Sequence, residues 1–418
     1  MTGDFDLSTT RRSLLSRVAL AATSFVLPSG NTFAQAAGST PSEGVVISGS
    51  SSNSPEARLI EVYRAIAAGD SRALLLAEDL VREVPNFQLG QLVYGDLLLS
   101  RTGSSPAYAT VMDGPPVVRE QLQKLRMEAS RRLNVLREGP PPGAWPEQVL
   151  ELAHNVRHVV VVDASRSRVY VFEHRATGLN LIRNFYASIG RAGFDKQIEG
   201  DLRTPLGVYH ITSRLRDKQL DELYGVGALP LNYPNEHDRR LGRTGSGIWL
   251  HGVPRAAYSR SPFATEGCVA LANDDMAYLM NELEPRRTPV IITDEVKWVQ
   301  PDTTAFARTE FRALLSDWMT AWSEGDRFAL QSFYSTDFLS GKGRHAASRH
   351  ALRLLKAQPL ARRIDIKNVS IFRWKRESEV TVVNFTEIVA GRASGLAKRQ
   401  YWGLEQGRWV MFFDGAVG

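Results

Sequence analysis

The sequence contains a single cysteine, Cys268, in the segment Gly267-Cys268-Val269, and His251 ends the apolar run upstream of it. A thiol becomes a strong nucleophile only as a thiolate, which requires a nearby base or a positive potential. If residues 248–251 form a strand and the chain returns through Gly267 after a loop, the two side chains can meet. The pattern therefore predicts a thiol nucleophile with an imidazole base. The pair alone leaves open a buried, inert cysteine that packs as a small apolar residue.

The backbone around the cysteine could supply a second part of such chemistry. Gly267-Cys268 leads into the polar run 273–275 and then into the apolar spacing of a helix, which predicts that Cys268 lies just before a helix. The N–H groups of Gly267 and Cys268, with the backbone of Gly252 beside the histidine, are then candidates to stabilise an oxyanion.

The N-terminus, residues 1–36, has the layout of an export signal. Arg11-Arg12 precedes a mildly apolar stretch at 18–27, and Ala34-Gln35-Ala36 is a small-x-small cleavage pattern. The twin arginine resembles the Tat type. The apolar run is shorter than the roughly 20 residues that cross a bilayer, which makes a membrane anchor the less favoured alternative. We therefore expect a soluble periplasmic protein, in which a lone cysteine is a reactive thiol or a partner for an intermolecular bridge.

Composition narrows the class of function. The net charge is +6 at pH 7 and 43% of the residues are hydrophobic, which is ample for folded cores. No basic stripe is interleaved with aromatic residues, so we expect no nucleic acid partner. The eight histidines show no HExxH-like spacing, which argues against a zinc peptidase. We expect neither a metal nor a cofactor.

Changes in periodicity divide the rest of the chain. Residues 37–54 are rich in serine and glycine and predict a flexible linker. Residues 55–150 carry helical apolar spacing and predict a helical cap that resembles paired tetratricopeptide-type helices. Residues 151–297 contain short apolar runs, beginning with a hairpin at 158–172, and predict a mostly β domain. Residues 306–418 begin with an amphipathic helix and continue with strand patterns, which predicts an α+β domain.

Two motifs of the β region are similar to a known family. The segment His251-Gly252 to Thr265-Glu266-Gly267-Cys268-Val269 resembles the signature of the L,D-transpeptidase (YkuD-type) catalytic domain, a His-Gly followed by Ser/Thr-x-Gly-Cys. Upstream, Thr204-Pro205-Leu206-Gly207-Val208-Tyr209-His210-Ile211 is similar to the family's TP-x-G-x-Y-x-I segment, and the hairpin resembles its first two strands. With three matches in the right order, residues 151–297 are identified as a member of this family.

The resemblance implies a β-rich fold and a cysteine enzyme of peptidoglycan. Cys268 would attack the L-to-D amide between the third and fourth residues of a stem tetrapeptide, release D-alanine and hold the remainder as a thioester. Transfer to an amine would give a cross-link, and transfer to water would give a tripeptide. His251 would accept the thiol proton and return it to the leaving amine, and backbone N–H groups would form the oxyanion hole.

Two positions depart from the Ser-His-Gly-Cys-Val-Arg pattern of many family members. Glu266 stands where they have histidine, and Ala270 stands where they have arginine. His251 is therefore the motif's one available base. Glu266 is either a contact for a substrate amine or a solvated loop residue. The loss of the arginine indicates an altered substrate contact and leaves the acceptor open.

A branch of the family with the same departure carries a C-terminal domain that resembles nuclear transport factor 2 (NTF2). Segments 318–322, 333–338 and 407–410 of this chain are similar to that cone-shaped fold. The branch includes L,D-carboxypeptidases that trim tetrapeptides and influence cell shape. We therefore expect an NTF2-like domain over 306–418, with a binding or positioning role toward a ligand or protein partner.

The loop between the histidine and the cysteine carries the remaining candidates. Arg255, Tyr258 and Arg260 are predicted substrate contacts, since a cation there could meet the carboxylate of a diaminopimelate stem. Thr265 and Glu266 join them. The alternative for each is a solvated loop residue.

Three other functions are alternatives to an enzyme that forms a thioester with stem peptides. A strict L,D-carboxypeptidase would use the same two residues with water as acceptor. An inactive, peptidoglycan-binding scaffold would need neither His251 nor Cys268, so their presence favours catalysis. A disulfide-exchange protein would need a second cysteine, and the sequence has one.

Overall fold

The computed structural model describes residues 54–101, 115–134, 139–340 and 363–417. The predicted export signal and the predicted linker, apart from Ser54, lie outside the described residues. Among the helices that are described, none is long and apolar enough to cross a membrane.

The N-terminal region is helical, as predicted, and its ends follow from local chemistry. Ser54 caps the first helix by accepting a hydrogen bond from the Ala57 N–H (3.2 Å), and Pro55 occupies the first turn. Gly69, at φ 65°, ends the helix in a left-handed conformation. The apolar face, including Leu59, packs against the neighbouring helices. The bounds of this helical region are α1 (Pro55–Ala68), α2 (Ala73–Glu83), α3 (Gln88–Arg101) and α4 (Pro116–Asn134).

Short strands dominate the next part of the chain, as predicted. This part, residues 145–299, is hereafter the middle domain. Its strands are β1 (Trp145–Pro146), β2 (Val149–Glu151), β3 (His158–Asp163), β4 (Arg168–Arg175), β5 (Gly178–Gly190), β6 (Gly207–His210), β7 (Leu215–Arg216), β8 (Gly227–Pro230), β9 (Trp249–His251), β10 (Phe263–Thr265), β11 (Val269–Leu271), β12 (Pro289–Thr293) and β13 (Trp298–Val299), and its helices are α5 (Glu236–Arg240) and α6 (Asn273–Glu282). A large mixed sheet has the strand order β6-β12-β3-β4-β5-β11-β9-β8-β7, with β10 paired to β5.

The predicted hairpin is confirmed as β3 and β4, which pair in antiparallel register from His158 opposite Glu173 to Asp163 opposite Arg168. Every residue of β3 is buried, which explains its unbroken apolar run. Asp163, fully buried at the turn, accepts hydrogen bonds from the Arg166 N–H (2.9 Å) and the Val296 N–H (3.0 Å). These bonds tie the turn to the chain that follows β12.

The C-terminal part is an α+β domain, as predicted. It comprises α7 (Ala305–Glu324), α8 (Arg327–Ser332), β14 (Tyr334–Ser340), β15 (Ile364–Lys375), β16 (Glu379–Val389), β17 (Leu396–Glu405) and β18 (Arg408–Ala416). Its sheet has the order β14-β18-β17-β16-β15-β2. Strand β2 thus comes from the stretch placed at the end of the helical cap, because Val149 and Leu150 are buried by this sheet rather than by the helices.

The C-terminal sheet is covered on both faces. On one face Trp402 and Met411 pack with Phe311 of α7. On the other face Tyr401 and Phe412 join the core of the middle domain. Residues of β17 and β18 alternate between the two faces, as the pleat of a strand requires. The middle domain therefore shares its apolar core with one face of the C-terminal sheet, and α7 covers a second core on the other face.

Candidate active site

Cys268 and His251 lie on two neighbouring parallel strands. Ala270 of β11 pairs with His251 of β9, and Val269 pairs with Leu250. Since side chains two residues apart share a face of a strand, Cys268 and His251 face the same side of the sheet. The prediction that Cys268 lies immediately before a helix is wrong, because β11 comes between Cys268 and α6. The physical reason is that Val269 and the residues after it are buried as a strand.

The His251 imidazole is buried and held in one tautomer. Its Nδ1 lies 2.6 Å from the Gly252 carbonyl oxygen, which can only accept, so Nδ1 carries the proton and Nε2 keeps its lone pair. Burial lowers the pKa of His251 to about 4. The Tyr224 ring meets the imidazole edge to face, with centroids 5.1 Å apart. His251 is therefore neutral near pH 7 and suited to accept a proton.

The Cys268 thiol is protonated at rest. Its pKa is raised to about 11, mainly by burial and also by the nearby Glu266 carboxylate, although a hydrogen bond from the Trp249 N–H opposes the rise. The thiol donates to the Gly247 carbonyl (Sγ to O, 3.2 Å). No hydrogen bond joins Cys268 to His251 among the described residues. The resting pair is thus a neutral thiol and a neutral imidazole, not an ion pair.

The backbone N–H groups named as oxyanion donors differ in availability. The Gly267 N–H donates to the Thr265 hydroxyl (3.1 Å), and the Gly252 N–H donates to the Gly227 carbonyl (3.2 Å). These two of the three predicted donors therefore already have partners. Within the described part of the chain, the Cys268 N–H has no partner. Cys268 itself is therefore the best-placed oxyanion donor of this segment.

Both motif glycines are required by close backbone approach. A Cβ on Gly252 would lie 2.3 Å from Oδ1 of Asn273, and a Cβ on Gly267 would lie 2.7 Å from the Arg203 carbonyl oxygen. Gly267 also has a φ of 127°, which favours glycine. The glycines thus let the chain pack tightly beside the histidine and the cysteine.

Comparison with known proteins identifies the domains around this site. Residues 157–292 match the family model of the L,D-transpeptidase catalytic domain, YkuD. The middle domain is a YkuD domain. Residues 310–415 match the model of the Cds6 C-terminal NTF2-like domain, so the C-terminal part is an NTF2-like domain, as the sequence predicted. A comparison with curated proteins finds no match.

Two solved structures share the combined architecture. Bd1075 of Bdellovibrio bacteriovorus is 23% identical, with a TM-score of 0.55 over 66% of this chain and 98% of that one. The helical cell shape determining protein Pgp2 of Campylobacter jejuni is 20% identical, with a TM-score of 0.50 over 65% of this chain and 93% of that one. At these identities the likeness shows the fold alone.

Asn273, at the start of α6, fixes the segment that carries the histidine of the YkuD domain. Its Oδ1 accepts from the N–H groups of Val226 and Val253 (3.2 Å each), and its Nδ2 donates to the Val253 carbonyl (2.9 Å). Sequence reasoning treated Asn273 only as part of a helix start. A polar residue in the first turn of a helix gives no local sign that it bridges two distant loops.

The predicted substrate contacts Arg255 and Tyr258 are held by other partners. The Arg255 guanidinium pairs with Asp217, and its carbonyl accepts from the Asn86 side chain (3.1 Å). The Tyr258 N–H donates to the Asn86 carbonyl (3.2 Å), and its ring packs on Phe87 with centroids 4.5 Å apart. Both residues therefore anchor the covering loop, defined as residues 253–262, to the helical region.

Arg260, Thr265 and Glu266 take three different positions. The Arg260 charge lowers the pKa of His251, after the larger effect of burial, which places it near the site. Thr265 is buried, and its hydroxyl donates to the Cys268 carbonyl (2.7 Å), which holds the turn before the cysteine. The Glu266 side chain is 80% exposed and pairs with Arg191 (3.2 Å) at the rim. Arg260 and Glu266 remain candidates for substrate contact.

A buried ionic cluster, missed in the sequence, joins the helical region to the YkuD domain. Arg132 of α4 binds Glu128 (2.8 Å) and Glu56 (3.0 Å), and Glu56 also binds Arg168 of β4 (2.7 Å). The Ser259 hydroxyl of the covering loop donates to Glu128 (2.7 Å). The helices, the strand and the loop that supply these residues are far apart in the chain, so no local sequence pattern predicts that the residues are in contact. No group of residues in the described structure has the arrangement of a metal site.

Proposed function

We propose that this chain is a cysteine enzyme that cleaves the L-to-D amide of peptidoglycan stem tetrapeptides through a Cys268 thioester. The YkuD domain supports the class, an L,D-transpeptidase or carboxypeptidase of peptidoglycan. The observation that carries the proposal is the shared face of Cys268 and His251, with a neutral imidazole whose Nε2 is free to accept a proton. Such a pair needs no preformed thiolate.

The first half-reaction follows from these groups. As Sγ of Cys268 turns from the Gly247 carbonyl and attacks the amide carbon, its proton passes to Nε2 of His251. The carbonyl oxygen becomes an oxyanion that the Cys268 N–H can bind. The carbon–nitrogen bond then breaks, Nε2 returns the proton to the leaving amine, and D-alanine departs. The remaining acyl group stays on Sγ as a thioester.

The second half-reaction transfers the acyl group to water or to an amine. In either case neutral His251 accepts a proton from the attacking group and delivers it to the departing thiolate. Strict L,D-carboxypeptidation is the second candidate. It is supported by the covering loop, since Asn86 and Glu128 of the helical region hold that loop in place, and a fixed loop would restrict the approach of a bulky amine.

The NTF2-like domain has a positioning role in this proposal. Arg240 of the YkuD domain pairs with Asp337 (2.8 Å) and Glu405 (2.6 Å) of the NTF2-like domain. The β15–β16 turn adds Glu377, which binds Arg243 (2.8 Å), and Arg376, which binds Asp195 (3.4 Å). Asp195 lies on the loop whose Arg203 carbonyl approaches Gly267. The NTF2-like domain thus supports the backbone behind the cysteine.

The cellular setting follows from the substrate. Peptidoglycan lies outside the cytoplasmic membrane, so we propose that the chain is exported, with residues 1–36 as its Tat-like signal. The fold that this chain shares with a helical cell shape determining protein supports a role in cell shape.

Product analysis tests the enzyme and its acceptor together. Purified protein is incubated with disaccharide tetrapeptide, and products are measured by mass spectrometry. Tripeptide alone supports trimming, and a cross-linked dimer supports transpeptidation. Cys268→Ala and His251→Ala should abolish both products while retaining the circular dichroism spectrum of the parent. Glu310→Ala changes an exposed side chain of α7, outside the site, and is the control that should remain active. The scaffold alternative gains support if neither product nor a trapped Cys268 thioester is found.

A further inference from the structure

A cavity of about 300 Å³ lies between the YkuD domain and the NTF2-like domain, away from Cys268. The YkuD domain contributes residues 210–212 and 232–236, with Arg239 and Arg286. The NTF2-like domain contributes other residues, namely Arg399, Tyr401, Phe413, Ala416 and Val417. The cavity is large enough for a small organic molecule and has no part in the proposed chemistry.

Arg399 is the unusual residue of this cavity. Its side chain is buried, and its Nε donates to Oδ1 of Asn384 (2.6 Å). Its other close polar neighbour is the neutral Tyr401 hydroxyl. The Glu236 carboxylate attracts it from farther away, and within the described residues no carboxylate lies at ion-pair distance from it. Burial lowers the pKa of Arg399. A buried guanidinium without a directly paired carboxylate is costly, which indicates that a closer acceptor is missing.

His210 adds a second donor to the same wall. It is 4% exposed, and its Nε2 accepts a hydrogen bond from Nδ2 of Asn384 (3.1 Å). Nε2 is therefore the acceptor and Nδ1 carries the proton. Burial lowers the pKa of His210 well below its usual range, so the ring is neutral. Nδ1 has no hydrogen-bond partner among the described residues.

The charge of the lining is strongly unbalanced. Arg239 and Arg286 are exposed at the mouth, and Arg399 lies inside. Among the described lining residues Glu236 is the one acid, and Arg239 already binds it (2.5 Å). Burial raises the pKa of Glu236, so its negative charge is itself unfavourable there. Positive charge and unpaired donors therefore exceed the acceptors that the cavity supplies.

We propose that this cavity binds a small carboxylate ligand, which bridges Arg399 of the NTF2-like domain and Arg286 of the YkuD domain. A planar carboxylate matches the two-pronged donor edge of a guanidinium. The walls formed by Tyr401, Phe413 and Val417 suit a short carbon skeleton. The ligand is either a free dicarboxylate or the terminal carboxylate of a peptide.

Titration calorimetry on the full chain separates these sources. The protein carries Cys268→Ala, so that the active site cannot react with a peptide. The probes are succinate, its neutral isostere succinamide, and acetyl-Ala-Ala with a free C-terminus. We expect a Kd near or below about 1 mM for one carboxylate probe and no binding of succinamide. Binding of succinate alone identifies a free dicarboxylate, and binding of the peptide alone identifies a peptide terminus.

Substitutions place any binding at this cavity. Arg399→Gln should weaken binding at least about tenfold, because it removes the charge but keeps a hydrogen-bond donor. Arg392→Gln makes the same charge change at an exposed turn and should leave the Kd unchanged. Without ligand, Arg399→Gln should melt no lower than the parent, because it removes an uncompensated buried charge. The proposal is overturned if neither carboxylate binds, or if Arg399→Gln binds as tightly as the parent.

Discussion

The neutral resting state of the Cys268–His251 pair can be tested by alkylation. Burial raises the pKa of the Cys268 thiol from 9.0 to about 11. Two pKa units correspond to an about hundredfold smaller thiolate fraction at pH 7. A more basic thiolate is intrinsically more nucleophilic, with a Brønsted slope of about 0.4–0.5, which restores roughly eightfold. Iodoacetamide should therefore react about tenfold more slowly with Cys268 than with an unperturbed thiol.

The assay is direct because the chain has one cysteine. Intact-mass spectrometry follows single carbamidomethylation from pH 6 to pH 10, with N-acetylcysteine as the free-thiol reference. The rate should rise about tenfold per pH unit without a plateau below pH 10. His251→Ala should change the rate at pH 8 by less than about twofold, since the neutral imidazole does not hold a thiolate, and yet turnover should be lost.

Two results would refute this reasoning. A rate plateau between pH 6 and pH 8 would mean that the thiolate already exists near neutrality. A large loss of alkylation in His251→Ala would mean that an imidazolium stabilises it. Either result would replace general-base catalysis by a preformed ion pair, although Cys268 would remain the nucleophile.

Three further expectations follow from the geometry. Gly252→Ala should reduce kcat/KM at least about tenfold, because its Cβ would lie 2.3 Å from Asn273 and displace the histidine segment; unchanged kinetics would contradict this. Burial lowers the pKa values of His251 and His237 to about 4, so the unfolded chain binds more protons than the folded chain between pH 6.5 and pH 4. Each histidine should therefore lower the free energy of unfolding by about 2 kcal/mol at pH 5, as measured by urea denaturation. Glu128→Ala should speed hydrogen exchange in the covering loop, because Arg132 and Ser259 of the loop both lose an acceptor. Unchanged exchange would contradict the inference that the helical region holds the loop.

Local pattern was sufficient for much of the fold. The buried run of β3 and the returning β4 give a hairpin from sequence alone, and the apolar spacing after Ser54 gives α1. The pairing of Cys268 with His251 was predicted because a strand that ends at His251, followed by a loop and a return through Gly267, can bring the two side chains together. The hairpin and the helix were predicted correctly because each rests on residues that are close in sequence, whereas the catalytic pairing of Cys268 with His251 stays a prediction.

The rest of the site depends on contacts between distant segments. The N–H of Gly252, a predicted oxyanion donor, is bound by the Gly227 carbonyl of the neighbouring strand β8. The hold of Asn86 on the covering loop joins positions 169 residues apart. Register and domain packing decide such contacts, and residue spacing does not encode them.

Ala270 shows how the sequence departure and the architecture fit together. It lies level with His251 on one side and Ser188 on the other, and it is 2% exposed. Two residues before Ser188 on the same face, Tyr186 donates to the Arg260 carbonyl (2.9 Å) and lies beneath the Arg132 guanidinium (4.0 Å). The covering loop and the helical region thus close over this strip of the sheet.

An arginine at position 270 would have no open space there without displacing that cover. The nearby guanidinium of Arg132 is committed to Glu56 and Glu128, so it does not replace a substrate-binding cation. We infer that a small residue at 270 and a fixed cover go together. In the proposed reaction, the choice between water and an amine then depends on whether the covering loop opens after the thioester forms. Glu128→Ala, which frees the loop, should shift products toward cross-linked dimer if an amine is excluded only by this cover.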